Sequence, residues 1–434
     1  MERIPQLLEQ TTTLLREGAR QGITPPAITL RSLPDQVLKT IEGATLESPL
    51  LASFKKFPES MSLQTQGALT ARATNLFQTQ VRPALKTFYG YLANEYLPAA
   101  RKSIAAIDMP RGKEWYAFNI RELTTTSLSP EQIHNIGLSE VKRIRGEMEK
   151  ILTELKFQGT LLDFFKFLRT DSQFFFSSAE DLLVAYRDIS KRADAELPKL
   201  FGRLPRLPYG VVPVPAYNER SQTTAYYMPG SAKAGRAGFF YANTYDLRSR
   251  PKWEMEALTL HEAVPGHHLQ IALAQEMENV PEFRKHERFT AYVEGWGLYA
   301  ESLGSEMGFY KNPYARFGQL TYEMWRSIRL VVDTGMHSLG WSREKAIEYF
   351  KENAPKAEHD IVVEVDRYIV WPGQALAYKL GELKIKELRA RATQLLGKQF
   401  DLRAFHDEIL GNGPLPLELL ESRIDRWIAA RRPN

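Results

Sequence analysis

Between Leu260 and Leu269 the chain reads His261-Glu262-Ala263-Val264-Pro265-Gly266-His267-His268, placing three of its eight histidines within eight residues and a glutamate directly after the first. Neutral imidazoles hold a divalent ion, and a nearby carboxylate can take a proton from its water, so the grouping points to zinc-dependent hydrolysis. The usual arrangement is His-Glu-x-x-His on one helix, where four-residue spacing stacks both rings on one face. Here the fourth residue after His261 is Pro265, which offers no ligand atom. The motif holds most of a metallopeptidase site on an interrupted helix.

On an unbroken helix His268 would lie about 20° from the face of His261 but roughly 10.5 Å further along the axis. His267 would point about 120° away. Pro265 lacks an N–H and crowds the preceding turn, and Gly266 takes backbone angles other residues avoid. A bulge or kink at Pro-Gly is therefore expected to return one imidazole to the metal. His267, one residue nearer, is favoured, with His268 as the alternative. A helix end carrying incidental histidines leaves Glu262 unexplained.

The third ligand is expected from the next helix. Glu294 and Glu301 stand seven residues apart, nearly on one face, with mostly apolar or small residues between them. A carboxylate on a buried face needs a partner or a metal. Alone, Glu294 reads as a salt-bridge partner of Arg288. Beside the histidines it reads as a metal ligand, with Glu301 orienting a ligand imidazole. Glu262 is the expected general base.

Other residues could serve the same reaction. Residues 223–228 and 238–244 are short, aromatic-rich and bounded by glycine and proline, which predicts strands just upstream of the helix that starts near Lys252. Residues 241–243 are expected as an edge pairing with a substrate backbone, with Asn243 offering a side-chain hydrogen bond. A strand packed wholly inside a small sheet is the equal alternative. Asp333 and His337 are four apart on a predicted helix, so the carboxylate could aim the imidazole at a reacting carbonyl. An ordinary ion pair is the simpler reading, and Gly335 weakens the helix. After Trp371-Pro372-Gly373, Gln374 and Tyr378 share a helix face. A phenol there could cover a developing oxyanion, although most such tyrosines are core residues.

The stretches His261-Glu-Ala-Val-Pro-Gly-His-His-Leu-Gln270 and Glu294-Gly-Trp-Gly-Leu-Tyr-Ala-Glu301 resemble those of the bacterial "domain of unknown function 885" family. Further matches are Leu330-Val-Val-Asp-Thr-Gly-Met-His337, Arg367-Tyr-Ile-Val-Trp-Pro-Gly-Gln-Ala-Leu-Ala-Tyr-Lys-Leu-Gly381 and Ser129-Pro-Glu-Gln-Ile-His-Asn-Ile-Gly137, so the likeness covers most of the chain. The resemblance implies a zincin-like, gluzincin-type metallopeptidase with a mostly helical fold. It also raises Tyr378 as an oxyanion stabiliser, with Arg367 and Tyr368 behind it as substrate residues. Members carry well over a hundred further residues ahead of the segment that begins here at Met1, so an export signal would lie outside this sequence.

The surrounding chain must position these groups. Its 434 residues, 43% hydrophobic and 25% charged, suffice for a large core. The net charge of +5 is spread out, with mixed stretches such as Lys142 to Lys150, which argues against a nucleic-acid surface. Without cysteine there is no disulfide and no thiolate site, so zinc must use nitrogen and oxygen ligands. The N-terminal residues read as an amphipathic helix rather than a signal peptide, and no stretch approaches a membrane span. As it stands, the chain reads as cytoplasmic. Three- and four-residue apolar spacing predicts helices near 4–20, 34–43, 63–100 and 130–156. Ser129-Pro130-Glu131-Gln132 is a helix start, and Ser178 with Asp181 repeats the logic.

The expectation is a mainly α-helical (α+β) protein: a helical lobe over 1–205 and a metal-binding lobe over 206–434, divided at the Pro-rich stretch 204–215. A cleft between the N-terminal helices and the metal-binding half would hold the substrate, with a small β-sheet beside the metal helix. His261, His267 (or His268) and Glu294 would hold Zn²⁺ for hydrolysis of a peptide or small amide, with His337 and Tyr378 stabilising the intermediate. The alternatives are hydrolysis of a non-peptide amide or ester, and a non-catalytic binding protein of the same fold. Spacing and composition leave endo- or exo-cleavage and oligomeric state open.

Overall fold

The computed structural model describes residues 1–216, 219 and 222–432. The chain is mainly helical with one three-stranded sheet, and it divides into two compact units, Met1–Glu114 and Trp115–Asn434.

In the first unit the predicted periodicity yields helices Ile4–Arg20, Leu33–Ile41 and Leu63–Leu76. The third continues through a wide π turn, Phe77–Val81, into Arg82–Tyr91, and a second π turn follows at Leu92–Tyr96. Each π turn ends just before a proline-bearing segment, at Pro83 and Pro98. Proline supplies no N–H to the regular ladder, and the helix accommodates this by widening for one turn. Ile41, Leu51, Phe77, Val81 and Leu85 form the core here.

The division expected at 204–215 falls inside the second unit. Helix Pro130–Glu154, begun by the Ser129–Gln132 capping box, lies along the long helix Pro313–Ser338. Helix Ala179–Leu200, capped by Ser178, packs on helix Met255–Glu262. Their apolar faces (Ile133, Val141 and Ile144 on one, Leu182, Tyr186 and Ala193 on the other) are buried against the half that carries the histidine cluster, so these helices belong to its core.

The Pro-rich stretch is itself a strand, β1 (Tyr209–Pro213), missed in the sequence because proline argues against strands. It survives because β1 is an edge, where proline is tolerated. The sheet order is β1-β3-β2, with β1 parallel and β2 (Ala225–Met228) antiparallel to the central β3 (Gly238–Ala242). Residues 241–243 are therefore not the expected edge. Both sides of β3 are already paired, and Phe240 packs into the core against Tyr186 at 5.1 Å. The edge beside the histidines is β2.

Helix Thr290–Ser302 is buried along most of its length and packs against helix Ala377–Leu396. A Cβ on Gly381 would stand 1.8 Å from the Ala291 carbonyl oxygen and 2.8 Å from Gly295 Cα, so the two backbones meet directly. No helix among the described residues is long and apolar enough to cross a membrane.

Candidate metal centre

Helix Met255–Glu262 stops immediately after the glutamate, and a separate helix, His267–Gln275, begins at the next histidine. The expected bulge within one helix is instead a break between two. Gly266 is required there by close approach: a Cβ would meet the carbonyl oxygens of His261 at 1.9 Å and Leu260 at 2.4 Å. Its φ of −76° is ordinary, so left-handed geometry is not the reason. Trp296 Nε1 donates to the Pro265 carbonyl at 2.8 Å, tying the turn to helix Thr290–Ser302.

This break turns His267 back onto His261, their ring centroids 4.7 Å apart and nearly perpendicular. His268 faces the sheet instead. Its Nδ1 lies 2.8 Å from the Tyr227 hydroxyl, and its ring lies 4.5 Å from that of Tyr209. Burial there lowers its pKa to about 4. Of the two candidate second ligands, only His267 lies with His261 and Glu294.

One ligand atom each from His261, His267 and Glu294 can be chosen so that all lie within 4.8 Å of one another. Glu294 Oε2 is 3.7 Å from His261 Nε2 and 3.4 Å from His267 Nε2. Well-formed N–H···O bonds span about 2.7–3.2 Å, so these contacts are long for hydrogen bonds. A tetrahedral ion with ligands at about 2.0–2.1 Å sets neighbouring ligand atoms roughly 3.4 Å apart. The donor set thus fits a small divalent ion better than it satisfies itself. Glu301, fully buried, accepts at 2.8 Å from His261 Nδ1, the contact that orients a ligand imidazole with Nε2 towards the metal. Gly297 makes room for that ring: a Cβ there would stand 2.7 Å from His261 Cε1.

The charges are interdependent. Burial opposes a proton on His261, but Glu294, Glu301 and Glu262 outweigh it and raise its pKa to about 9. Burial likewise opposes charge on Glu294, and the two histidines outweigh that, holding its carboxyl well below the usual range. Glu262 is also buried, and among the described residues its Oε2 has no hydrogen-bond donor and His267 Nδ1 has no partner. An undonated buried carboxylate oxygen is costly unless something else meets it.

These groups line a cavity of about 360 Å³, together with the β2 edge, Tyr322, Trp325, Arg326, Arg329, Arg367 and Tyr378. Every lining residue lies between Thr223 and Tyr378, so the cavity belongs to the second unit and not to a cleft against the 1–205 region. Tyr378 lies under the Arg329 guanidinium, 4.5 Å from its ring, and burial and then the Glu294 charge raise its hydroxyl pKa. Arg367 donates to Gln374 Oε1 at 2.7 Å and Glu364 Oε2 at 3.1 Å.

Three expected residues lie elsewhere. Asn243 is buried and fully engaged: its Nδ2 donates to the carbonyls of Glu219, Gln222 and Thr223, and its Oδ1 accepts from Tyr245 N–H. It holds the segment that leads into β2 and has no capacity for a peptide. Tyr368 is buried behind the wall, its hydroxyl donating to Glu364 at 2.5 Å and accepting from Arg329 and Trp325. His337 is buried off the cavity, its Nε2 2.9 Å from the Tyr368 carbonyl. Asp333 serves a turn rather than aiming an imidazole at substrate: it accepts from Tyr116 Oη at 2.6 Å and Gly373 N–H at 3.1 Å. Helix Pro313–Ser338 continues through Gly335, where the Trp341 ring occupies the space a side chain would need.

The sequence reading missed Arg326, Arg329 and Glu364. A signal was present: Tyr322, Trp325, Arg326 and Arg329 recur at three- and four-residue spacing on one side of the helix.

None of the curated proteins matches this chain. A crystal structure described as a "putative lipoprotein" from Colwellia psychrerythraea is 32% identical over 99% of this chain and 75% of its own, with a TM-score of 0.94. A second "putative lipoprotein of unknown function", from Shewanella oneidensis, shares the fold at a TM-score of 0.72 and 20% identity, over 97% of this chain and 76% of that one. The model of the family described as "Bacterial protein of unknown function (DUF885)" matches residues 1–424, and the chain belongs to that family.

Proposed function

We propose that this chain is a zinc-dependent hydrolase of peptide or related amide bonds, a zincin-like enzyme in which a helix break parts the two ligand histidines, His261 and His267. One observation carries the reading: a two-histidine, one-carboxylate group shares a cavity with Glu262, whose buried Oε2 lacks a donor. A zinc ion held by His261, His267 and Glu294 would polarise the scissile carbonyl and acidify a water. Glu262 takes the proton of the attacking water and delivers it to the leaving amine. Tyr378 donates its hydroxyl to the developing oxyanion, helped by the cation above its ring. The β2 edge offers backbone groups for an extended substrate. The description of the 32%-identical structural relative as a lipoprotein favours an exported, envelope-associated protein over the cytoplasmic expectation.

Elemental analysis of wild type and Glu262→Gln, each assayed on a mixed peptide library with and without chelator, tests this. About one zinc per chain is expected in both proteins, with chelator-sensitive cleavage by wild type and turnover lower by about 10²–10⁴-fold in the variant. Wild type without bound metal would sink the proposal. Metal with cleavage only of esters or non-peptide amides would move the substrate class. Metal with no turnover at all would leave a binding protein.

A further inference from the structure

The arginines of the cavity wall are under-compensated. Arg329 Nη2 and Arg367 Nη2 each donate to the same atom, Glu364 Oε2, at 3.1 Å, and the Tyr368 hydroxyl donates to it as well. Two cations thus share one carboxylate. The next acid along the helix, Asp366, is taken by Arg343 at 2.6 and 3.0 Å. Arg329 Nη1 is buried and has no hydrogen-bond partner among the described residues. Its guanidinium is fixed by the rings of Trp325, Tyr368 and Tyr378 and by the Tyr368 hydroxyl at 2.9 Å, so it cannot swing out to find one. Tyr378, 4.5 Å under the Arg329 guanidinium, lines the same cavity as Arg367 and the His261–His267–Glu294 group.

A planar, pre-positioned guanidinium pair with spare N–H groups matches a carboxylate. The cavity's volume, about 360 Å³, lies near the small end of the roughly 300–1,000 Å³ of small-molecule pockets, which suits a short chain end rather than a polypeptide running through. Resting on the hydrolase reading above, we propose that Arg329 and Arg367 receive the substrate's terminal carboxylate, making the enzyme an exopeptidase that cuts near the C-terminus of short peptides. Water adds across the C–N bond, its hydroxyl going to the acyl carbon and its proton to the amine. The released product carries the bound carboxylate.

A tripeptide is prepared as the free acid and as the C-terminal amide. Binding of both to Glu262→Gln is measured by calorimetry, zinc-loaded and chelator-stripped, and cleavage by wild type is mapped by mass spectrometry. The acid should bind about 10- to 100-fold tighter than the amide in both metal states. Arg367→Met should bring the ratio near one, and Arg367→Lys should restore part of it. Arg367 is partly exposed, so its replacement is compatible with folding. Equal binding of acid and amide overturns the inference even if both peptides are cleaved. So does an acid preference that survives Arg367→Met or needs the zinc. Arg367-dependent acid preference without any cleavage keeps the carboxylate receptor and removes the hydrolase reading.

Discussion

Around Lys379, three carboxylates meet three cations. Its Nζ lies 3.0 Å from Glu140, 2.8 Å from Glu323 and 2.5 Å from Glu382, while Arg143 pairs with Glu140 and Glu323, and Lys386 with Glu382. Around His261, two imidazoles and Glu294 crowd together at distances too long for hydrogen bonds, and Glu262 Oε2 and His267 Nδ1 have no partners. Both groups are buried in the second unit, and helix Ala377–Leu396 serves both: Tyr378 lines the cavity, and Lys379, the next residue, enters the closed network. Burial of charge is therefore not what marks the functional group. The closed network has balanced charge and meets its own groups, Lys386 pairing with the Glu382 oxygen that accepts no hydrogen bond, as a structural cluster should. The cluster at His261 keeps capacity in reserve and faces a cavity.

Removing one residue from each group should produce opposite failures. Glu294→Ala and His267→Ala should each lose the bound zinc, about one per chain in wild type, and activity should fall to background. His268→Ala should keep the metal, since that ring binds Tyr227. Elemental analysis decides it, and metal loss in His268→Ala alone would reassign the second ligand. Lys379→Met should instead lower unfolding free energy by about 3–5 kcal/mol in denaturant titration, because it strands buried carboxylates. Metal content per folded molecule should stay at the wild-type value. A stable Lys379→Met protein, or one lacking metal, would erase the contrast.

The smallest effect concerns acid. His406 is buried between the Leu200 carbonyl and the Tyr299 hydroxyl, each at 2.8 Å, and burial lowers its pKa to about 3. His268 is lowered to about 4. Both stay neutral in the folded chain, while unfolded histidine takes up a proton below about 6.5. Stability is thus fully present above 6.5 and lost as pH falls below it, by roughly 2 kcal/mol per histidine between 6.5 and 5. His261, with its pKa raised to about 9, changes its contribution only between 6.5 and 9 in the metal-free protein. Denaturation of metal-free protein at pH 7 and pH 5 should show the loss, and His406→Asn should roughly halve the slope. An unchanged slope in that variant would assign acid sensitivity elsewhere, and with it any metal loss seen below pH 6.5.

The chemistry was legible in the sequence where it demands particular side chains at short range. His261, Glu262 and the Glu294/Glu301 pair stand out because the proposed ligation, proton transfer and imidazole orientation would restrict the residue types. Helices were legible from apolar spacing, and the starts at Ser129 and Ser178 from their capping residues. Choosing His267 over His268 needed the direction of the turn, which Trp296 fixes from thirty-one residues away. Asn243 was misread because central or edge position depends on which strands pair, and one partner lay in a proline-rich stretch. Tyr368 was misread because it points behind the wall that its neighbour Arg367 lines.

The contact of Gly381 with Ala291 and Gly295 has a bearing on metal selectivity. Metal–ligand bond lengths are held to within about 0.2 Å, whereas a single methyl group on Gly381 would overlap the Ala291 carbonyl by far more. The helix carrying Glu294 and Glu301 is thus gauged by bare backbone, with no adjustable side chain between it and its neighbour. For the ion proposed above, the tolerance of the coordination sphere would then be set at a crossing that contains no ligand, and an alanine at 381 is expected to act as a shim under the carboxylates, shifting which ion fits while leaving every donor in place.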